Sequence, residues 1–221
     1  MKNIGQYLIS GEYVDENPLY IFEADYWGNC CNSIDEEIKQ FFYAKLMGIP
    51  KHPGYTFSVK GKKILDIGGG PVSLLLKCHD HGGSKVVDPI CYPQWTLDRY
   101  KANNIKYDQK PGEEVDEKGY DEVWIYNCLQ HVVDPEKIIN NAKKAAPVIR
   151  IFEWIDIPAH QGHPYELKEN KLNKWLEGKG NVGSIHYDEY SSVFNSNLPV
   201  IKNRSKGGSI CYYGVFNYDT K

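Results

Sequence analysis

From residue 62 onward, short apolar runs alternate with stretches whose apolar residues recur at helical spacing. Runs of four to eight residues near 62–67, 84–88, 104–107, 120–126 and 147–152 predict five strands. The intervening stretches predict helices. A short one carries Leu74, Leu75 and Cys78 and ends at Gly82-Gly83; a second opens at Pro93 and runs through Tyr100. A third starts with Asp134 as N-cap and Pro135 in the first turn and reaches Lys144; a fourth presents Leu172, Trp175 and Leu176 on one face and ends before Gly178. Residues 209–216 read as a final strand, with Val182–Tyr187 and Leu198–Lys202 as alternatives for the sixth. Upstream, Ser33-Ile34-Asp35-Glu36 forms a capping-box pattern. Ile38, Phe41, Phe42 and Leu46 follow on one helical face, and Gly48 with Pro50 forms a stop. Residues 1–30 mix Tyr7, Tyr13, Tyr20, Tyr26 and Trp27 with polar groups without a helical period, which predicts extended segments and turns. Strands alternating with helices imply a mostly parallel α/β sheet with right-handed crossovers.

Composition narrows the class. A chain of 221 residues suits one compact unit, with an N-terminal covering segment over 1–58 and the main α/β domain over 59–221. The net charge of −3 supplies no global basic field, so tightly held nucleic acid is not favoured. No window approaches the roughly 18 apolar residues of a spanning helix, and no membrane association is expected. Six cysteines (Cys30, Cys31, Cys78, Cys91, Cys128 and Cys211) show no Cys-x-x-Cys spacing, which fits a reduced cytoplasm. Oligomeric state is left open.

The densest chemistry lies in Lys62-Lys63-Ile64-Leu65-Asp66-Ile67-Gly68-Gly69-Gly70-Pro71-Val72-Ser73. Three glycines directly after a strand let a ligand lie against the main chain, where a Cβ would collide with it. The nicotinamide and flavin fingerprint G-x-G-x-x-G is not met, because Ser73 stands at the third glycine position. Asp66 would also repel a pyrophosphate. It suits a cofactor with local positive charge, such as the amino group and sulfonium of S-adenosylmethionine. Twenty-two residues on, Asp88 closes the next strand, an offset at which a carboxylate can accept both ribose hydroxyls.

With these blocks in order, the chain resembles the class I S-adenosylmethionine-dependent methyltransferases. Leu65-Asp66-Ile67-Gly68-Gly69-Gly70 looks like their first motif, and Asp88 matches their ribose-binding acid. The stretch from Tyr120 to Pro135 is similar to their fourth-strand block, including an L-x-H-V-x-D-P ending at Leu129–Pro135. The resemblance spans about residues 60–155. It implies a Rossmann-like fold: a mostly parallel seven-stranded sheet, helices on both faces, and an antiparallel last strand entering between its neighbours. It also implies S-adenosylmethionine as cofactor and S-adenosylhomocysteine as product. In that frame Asp66, Gly68, Gly69 and Gly70 face the methionine moiety, Asp88 and Pro89 the ribose and adenine edge, Gly112 and Glu113 the adenine ring, and Asn127 the cofactor beyond strand four. Trp27 is the candidate lid residue over the cofactor.

Methyl transfer needs an acceptor aligned with the methyl group, and a base where the acceptor carries a proton. His131 is the best-placed base, and His163, with His160 beside it in the loop after strand five, is a second. For each histidine the plainer reading is a packing or loop residue. The His-x-x-His spacing lacks a clustered third ligand, so no metal is expected. Tyr26, Trp27, Trp95 and Trp154 are aromatic candidates near the mouth, with core packing as the alternative for each. The functional expectation is methyl transfer to an oxygen or nitrogen of a small molecule. Methylation of RNA or another nucleic acid, and a non-catalytic cofactor-binding subunit, are the alternatives. Base amino-methylation is disfavoured: Asn127-Cys128-Leu129-Gln130 lacks the Pro-Pro-aromatic block of DNA amino-methyltransferases, and Asn17-Pro18-Leu19-Tyr20 lies upstream of the glycine loop.

Overall fold

The parallel strands are realised in the order and close to the positions that the apolar runs predict. In the computed structural model, which describes residues 18–53, 56–160, 162–185 and 209–218, the elements in chain order begin with α1 (Pro18–Trp27), α2 (Ile34–Leu46) and a small hairpin of β1 (Lys51–His52) and β2 (Thr56–Phe57). They continue with β3 (Ile64–Ile67), β4 (Lys85–Asp88), α3 (Gln94–Ala102), β5 (Lys106–Gln109) and β6 (Glu122–Tyr126). The last are α4 (Pro135–Ala145), β7 (Val148–Ile155), α5 (Glu169–Trp175), β8 (Asn181–Ile185) and β9 (Ser209–Asn217). One seven-stranded sheet runs β5-β4-β3-β6-β7-β9-β8, parallel from β5 through β7, with β9 antiparallel to both neighbours. Of the two candidates for the sixth strand, residues 181–185 occupy that place; Leu198–Lys202 lies outside the described residues.

Register decides where the chain can bind. Ile67 pairs with Val87 on one side and Ile125 on the other, so β3, β4 and β6 end level. Gly68, Pro89 and Asn127 therefore leave the sheet along one edge. Between β3 and β6 the strand order reverses, and open α/β sheets bind ligands in the crevice at such a point.

Strand side chains alternate between two cores. On one face Leu65, Ile67, Val123, Ile125 and Ile151 meet Ile138, Ile139 and Ala142 of α4 and Leu172 and Trp175 of α5. On the other, Ile64, Val86, Trp124 and Phe152 meet Phe42 and Tyr43 of α2, Met47 that caps it, and Tyr100 of α3. Phe42 lies edge-on to Phe152 at 5.8 Å, and Phe41 packs on Phe57 at 5.3 Å, so both rings pack the helix against the rest of the core. The helix begins where the sequence indicates: Ser33 accepts the Glu36 N–H.

Two segments differ from expectation. Residues 18–27 form α1 rather than extended chain. Their apolar side chains are spread all round the helix instead of on one stripe, because more than one side is covered: Ala24 and Tyr20 pack with Ile90 and Tyr92, while other residues face the cavity described below. The helix after the glycines is one 3-10 turn, Leu74–Lys77, and does not run to Gly82-Gly83. Cys78 is drawn off into a bridge with Phe57, and a Cβ at Gly82 would meet Gly61 O at 2.3 Å, marking a close crossing of two backbones. No helix among the described residues is long and apolar enough to cross a membrane.

Candidate functional site

Along the level strand ends opens a cavity of about 360 Å³. Its floor is the glycine loop. Gly68 (φ +72°) and Gly70 (φ +64°) adopt left-handed backbone, the region that glycine enters without strain. A Cβ on Gly68 would lie 2.6 Å from Cys128 Cβ, and one on Gly69 would lie 2.5 Å from Asp66 Oδ2. Above the loop, Trp27 of α1 lies 3.2 Å from where a Gly70 Cβ would be. The candidate lid residue thus closes directly onto the loop.

Asp66 is fully buried beneath the loop and is not part of the cavity wall. Its Oδ2 accepts from Ser73 Oγ and from Tyr126 Oη at 2.8 Å, and Oδ1 has no hydrogen-bond partner. Burial pushes its pKa up to about 7, opposed by those two donors. Asp66 therefore shapes the loop from below, where the sequence reading set it against the methionine moiety.

Asp88 does reach the wall. Its Oδ2 accepts the Gly70 N–H at 3.0 Å, and its Oδ1 accepts from Ile90 N at 3.0 Å and Tyr92 Oη at 3.3 Å. Burial raises its pKa to about 6. A carboxylate offers about four lone-pair sites, so acceptor capacity is left for a ligand. Pro89, Ile90, Gly112 and Glu113 line the same end. Gly112 is packed so closely that a Cβ would come within 2.8 Å of Ile67 Cγ2. Glu113 is committed elsewhere: its Oε1 accepts the N–H groups of Val133 (3.0 Å) and Asp134 (3.1 Å), tying the loop after β5 to the start of α4.

The opposite wall is built after β6. Asn127 takes a left-handed conformation (φ +53°), and its Oδ1 accepts from Gln130 Nε2 at 3.2 Å. From below, fully buried Glu153 of β7 fixes this turn, its Oε1 accepting the N–H groups of Cys128 and Leu129, each at 3.1 Å. Burial lifts the Glu153 pKa to about 7. His131 Nδ1 stands 2.7 Å from both Gly162 O and Glu23 Oε1. A carbonyl and a carboxylate are acceptors only, so Nδ1 carries the proton and the neutral ring keeps its lone pair on Nε2, which faces Gln130 Nε2 at 3.2 Å. Burial disfavours charge on His131, but the Glu23 carboxylate outweighs it and leaves the pKa above the ordinary imidazole value. His163 lies edge-on to His131 at 4.5 Å, and burial together with His131 and His160 lowers its pKa to about 4.

Every expected site residue except Asp66 thus lies on one wall or another of a single cavity. Among the other residues weighed, Tyr26 and Trp154 line it as well, whereas His160 does not. Trp95 is 45% exposed beside Arg99, away from the cavity. The sequence reading missed Glu23, Gln40, Tyr43, Tyr126 and Glu153. For Glu23 a signal existed: on a helix, Glu23 and Trp27 lie one turn apart on one side, and Pro18 is a favoured first helical residue.

No family model matches the chain, and no curated protein does. Solved structures do. A phosphoethanolamine N-methyltransferase 2 from Haemonchus contortus, in complex with phosphomonomethylethanolamine and S-adenosylhomocysteine, superposes with a TM-score of 0.59 at 14% identity, covering 94% of this chain and 58% of that one. This chain therefore spans little more than half the length of that protein. A geranyl diphosphate C-methyltransferase from Streptomyces coelicolor, with Mg2+, geranyl diphosphate and S-adenosylhomocysteine, gives 0.57 at 9% identity over 83% of this chain and 79% of that one. A possible histamine N-methyltransferase from Thermotoga maritima gives 0.55 at 12% identity over 91% and 97%. With strand order, the antiparallel last strand and these superpositions in agreement, the chain has the Rossmann-like fold of the class I S-adenosylmethionine-dependent methyltransferases.

Proposed function

We propose that the protein binds S-adenosylmethionine and transfers its methyl group to an oxygen or nitrogen of a small molecule. The observation that carries this reading is the junction of the Gly68–Gly70 loop with Asp88: backbone that tolerates no side chain, hydrogen-bonded to a buried carboxylate, on the wall of one cavity at the strand-order reversal. Such a wall fits a nucleoside cofactor. Asp88 would accept from the ribose, Pro89, Ile90 and Gly112 would flank the adenine, and Asn127 with the glycine loop would hold the methionine part. Bound there, the cofactor supplies a methyl carbon already activated by its sulfonium.

What remains for this chain is to orient the acceptor, exclude water and manage one proton. Alignment alone is worth up to roughly 7–11 kcal/mol. Trp27 and α1 cover the loop and so keep water out. His131, with Nδ1–H held by Glu23 and Gly162 O, offers Nε2 as the proton acceptor once Gln130 Nε2, 3.2 Å away, yields that lone pair to the substrate. His163, with its lowered pKa, stays neutral beside it.

Calorimetric titration with S-adenosylmethionine and S-adenosylhomocysteine tests this. Micromolar-range binding is expected, weakened about tenfold or more by Asp88→Asn, which keeps the side-chain shape while removing charge. Thermal melting of the variant separates lost binding from lost fold. Absence of binding by the intact protein would overturn the reading.

A further inference from the structure

The cavity wall carries carboxylates, aromatic rings and little free positive charge. Lys39 is the one Lys or Arg side chain on it among the described residues, and its ammonium is 2.6 Å from Glu36. Away from the glycine loop, whose backbone N–H groups can meet the cofactor's carboxylate, the wall offers no free cation to an anionic acceptor. Of its carboxylates, Asp88 and Glu113 accept from backbone N–H groups, while Glu23 faces His131. A second observation is independent of charge. Gln130 lies on the wall, only 3% exposed, and its Oε1 has no hydrogen-bond partner. A buried carbonyl oxygen without a donor is costly and is relieved by a ligand N–H. Tyr20, Tyr43, Tyr126 and Trp154 complete the wall, and ring faces attract cations within about 6 Å.

We infer that the acceptor is a small primary or secondary ammonium compound bearing an apolar group, recognised by Glu23 with Gln130 and the aromatic wall. The inference rests on the methyltransferase reading and sharpens it from oxygen or nitrogen to nitrogen. An ammonium group has N–H donors enough for Glu23 and Gln130 together; a hydroxyl has one. To become a nucleophile the bound ammonium must lose a proton. One N–H bond breaks, the proton passes to Nε2 of His131, and the electron pair stays on nitrogen. Glu23 sits beside both the incoming charge and the imidazolium that results, so one carboxylate serves before and after the transfer.

A charge series of similar size tests this on protein saturated with S-adenosylhomocysteine: 2-phenylethylamine, 2-phenylethanol and 3-phenylpropanoate, titrated calorimetrically into the wild type and Glu23→Gln. The amine is expected to bind at least about tenfold more tightly than the alcohol, and the carboxylate most weakly. Glu23→Gln is expected to remove the preference while S-adenosylhomocysteine still binds. Alcohol or carboxylate binding as tight as the amine, no amine binding, or a preference that survives in Glu23→Gln would each overturn the inference. So would loss of S-adenosylhomocysteine affinity in Glu23→Gln, which would assign Glu23 to the cofactor. Should that variant fail to fold, the comparison on the wild type decides. Failure of the wild type to bind S-adenosylhomocysteine at all is the distinct outcome that sinks the methyltransferase reading itself.

Discussion

At Gly69 a single methyl group would meet an immovable neighbour. The added Cβ would lie 2.5 Å from Asp66 Oδ2 and 2.8 Å from its Cγ, and that carboxyl is fully buried and held by Ser73 and Tyr126. Gly69→Ala is expected to cost about 1–3 kcal/mol of stability and to abolish cofactor binding; chemical denaturation paired with calorimetry checks both. The three glycines were legible in the sequence because Asp66 precedes them and Asp88 closes the next strand; alone, a glycine run after a strand reads equally as a plain turn. The orientation of Asp66 was not. Its position follows from Tyr126, sixty residues away in the chain, whose hydroxyl takes up the carboxylate beneath the loop. No local pattern encodes that meeting.

α1 lies over the cavity through side chains of several kinds: Glu23 on His131, Tyr26 on Glu36, Trp27 on the glycine loop and Phe22 against Gly162. A Cβ at Gly162 would lie 2.3 Å from the Phe22 ring, which is 38% exposed and free to swing outward. Gly162→Ala is therefore expected to leave global stability within about 1 kcal/mol while raising amide exchange across residues 18–27 several-fold, since few-contact elements open locally. Exchange unchanged in α1 would show that Phe22 does not hold the helix. α2 offers a contrast: removing its cap with Ser33→Ala is expected to cost about 1 kcal/mol in denaturant unfolding. Its start was legible because capping is local. Only half of the capping box forms, however, because the Glu36 carboxylate turns to Lys39 and Tyr26. Strands β3, β4, β6 and β7 were legible for a similar reason, as buried parallel strands read as short apolar runs, whereas the edge strand β5, Lys106–Gln109, is largely polar. α1 was not, because a helix covered on more than one side shows no stripe.

Across the whole molecule, buried acids set the response to pH. Asp66 and Glu153 titrate at about 7 and Asp88 at about 6, all raised by burial above the ordinary carboxylate value of about 4. Between about pH 4 and 7 the folded state holds protons that the unfolded chain has shed, so stability falls as pH rises through that window. His131, raised by Glu23, adds the same trend above about pH 6.5. His163, lowered to about 4, opposes it with one group, and the stability contributed by Glu117 and Glu122, each held at about 2 by lysine or arginine partners, is lost only as pH falls from about 4 toward 2. Differential scanning calorimetry of the ligand-free protein is expected to give a higher Tm at pH 5 than at pH 8, and Asp66→Asn is expected to flatten the difference. A Tm that rises steadily from pH 5 to 8 would contradict the burial of these acids. One topological feature bears on how such a molecule is made. β9 lies between β7 and β8 and pairs with both, though it follows them in the chain. During synthesis β7 leaves the ribosome more than fifty residues before β9 exists, so the growing chain carries an open apolar strand edge that only its late segment can close. Nascent chains paused in that interval are the ones that holdase chaperones should capture, and release of the last strand is the event that ends their dependence.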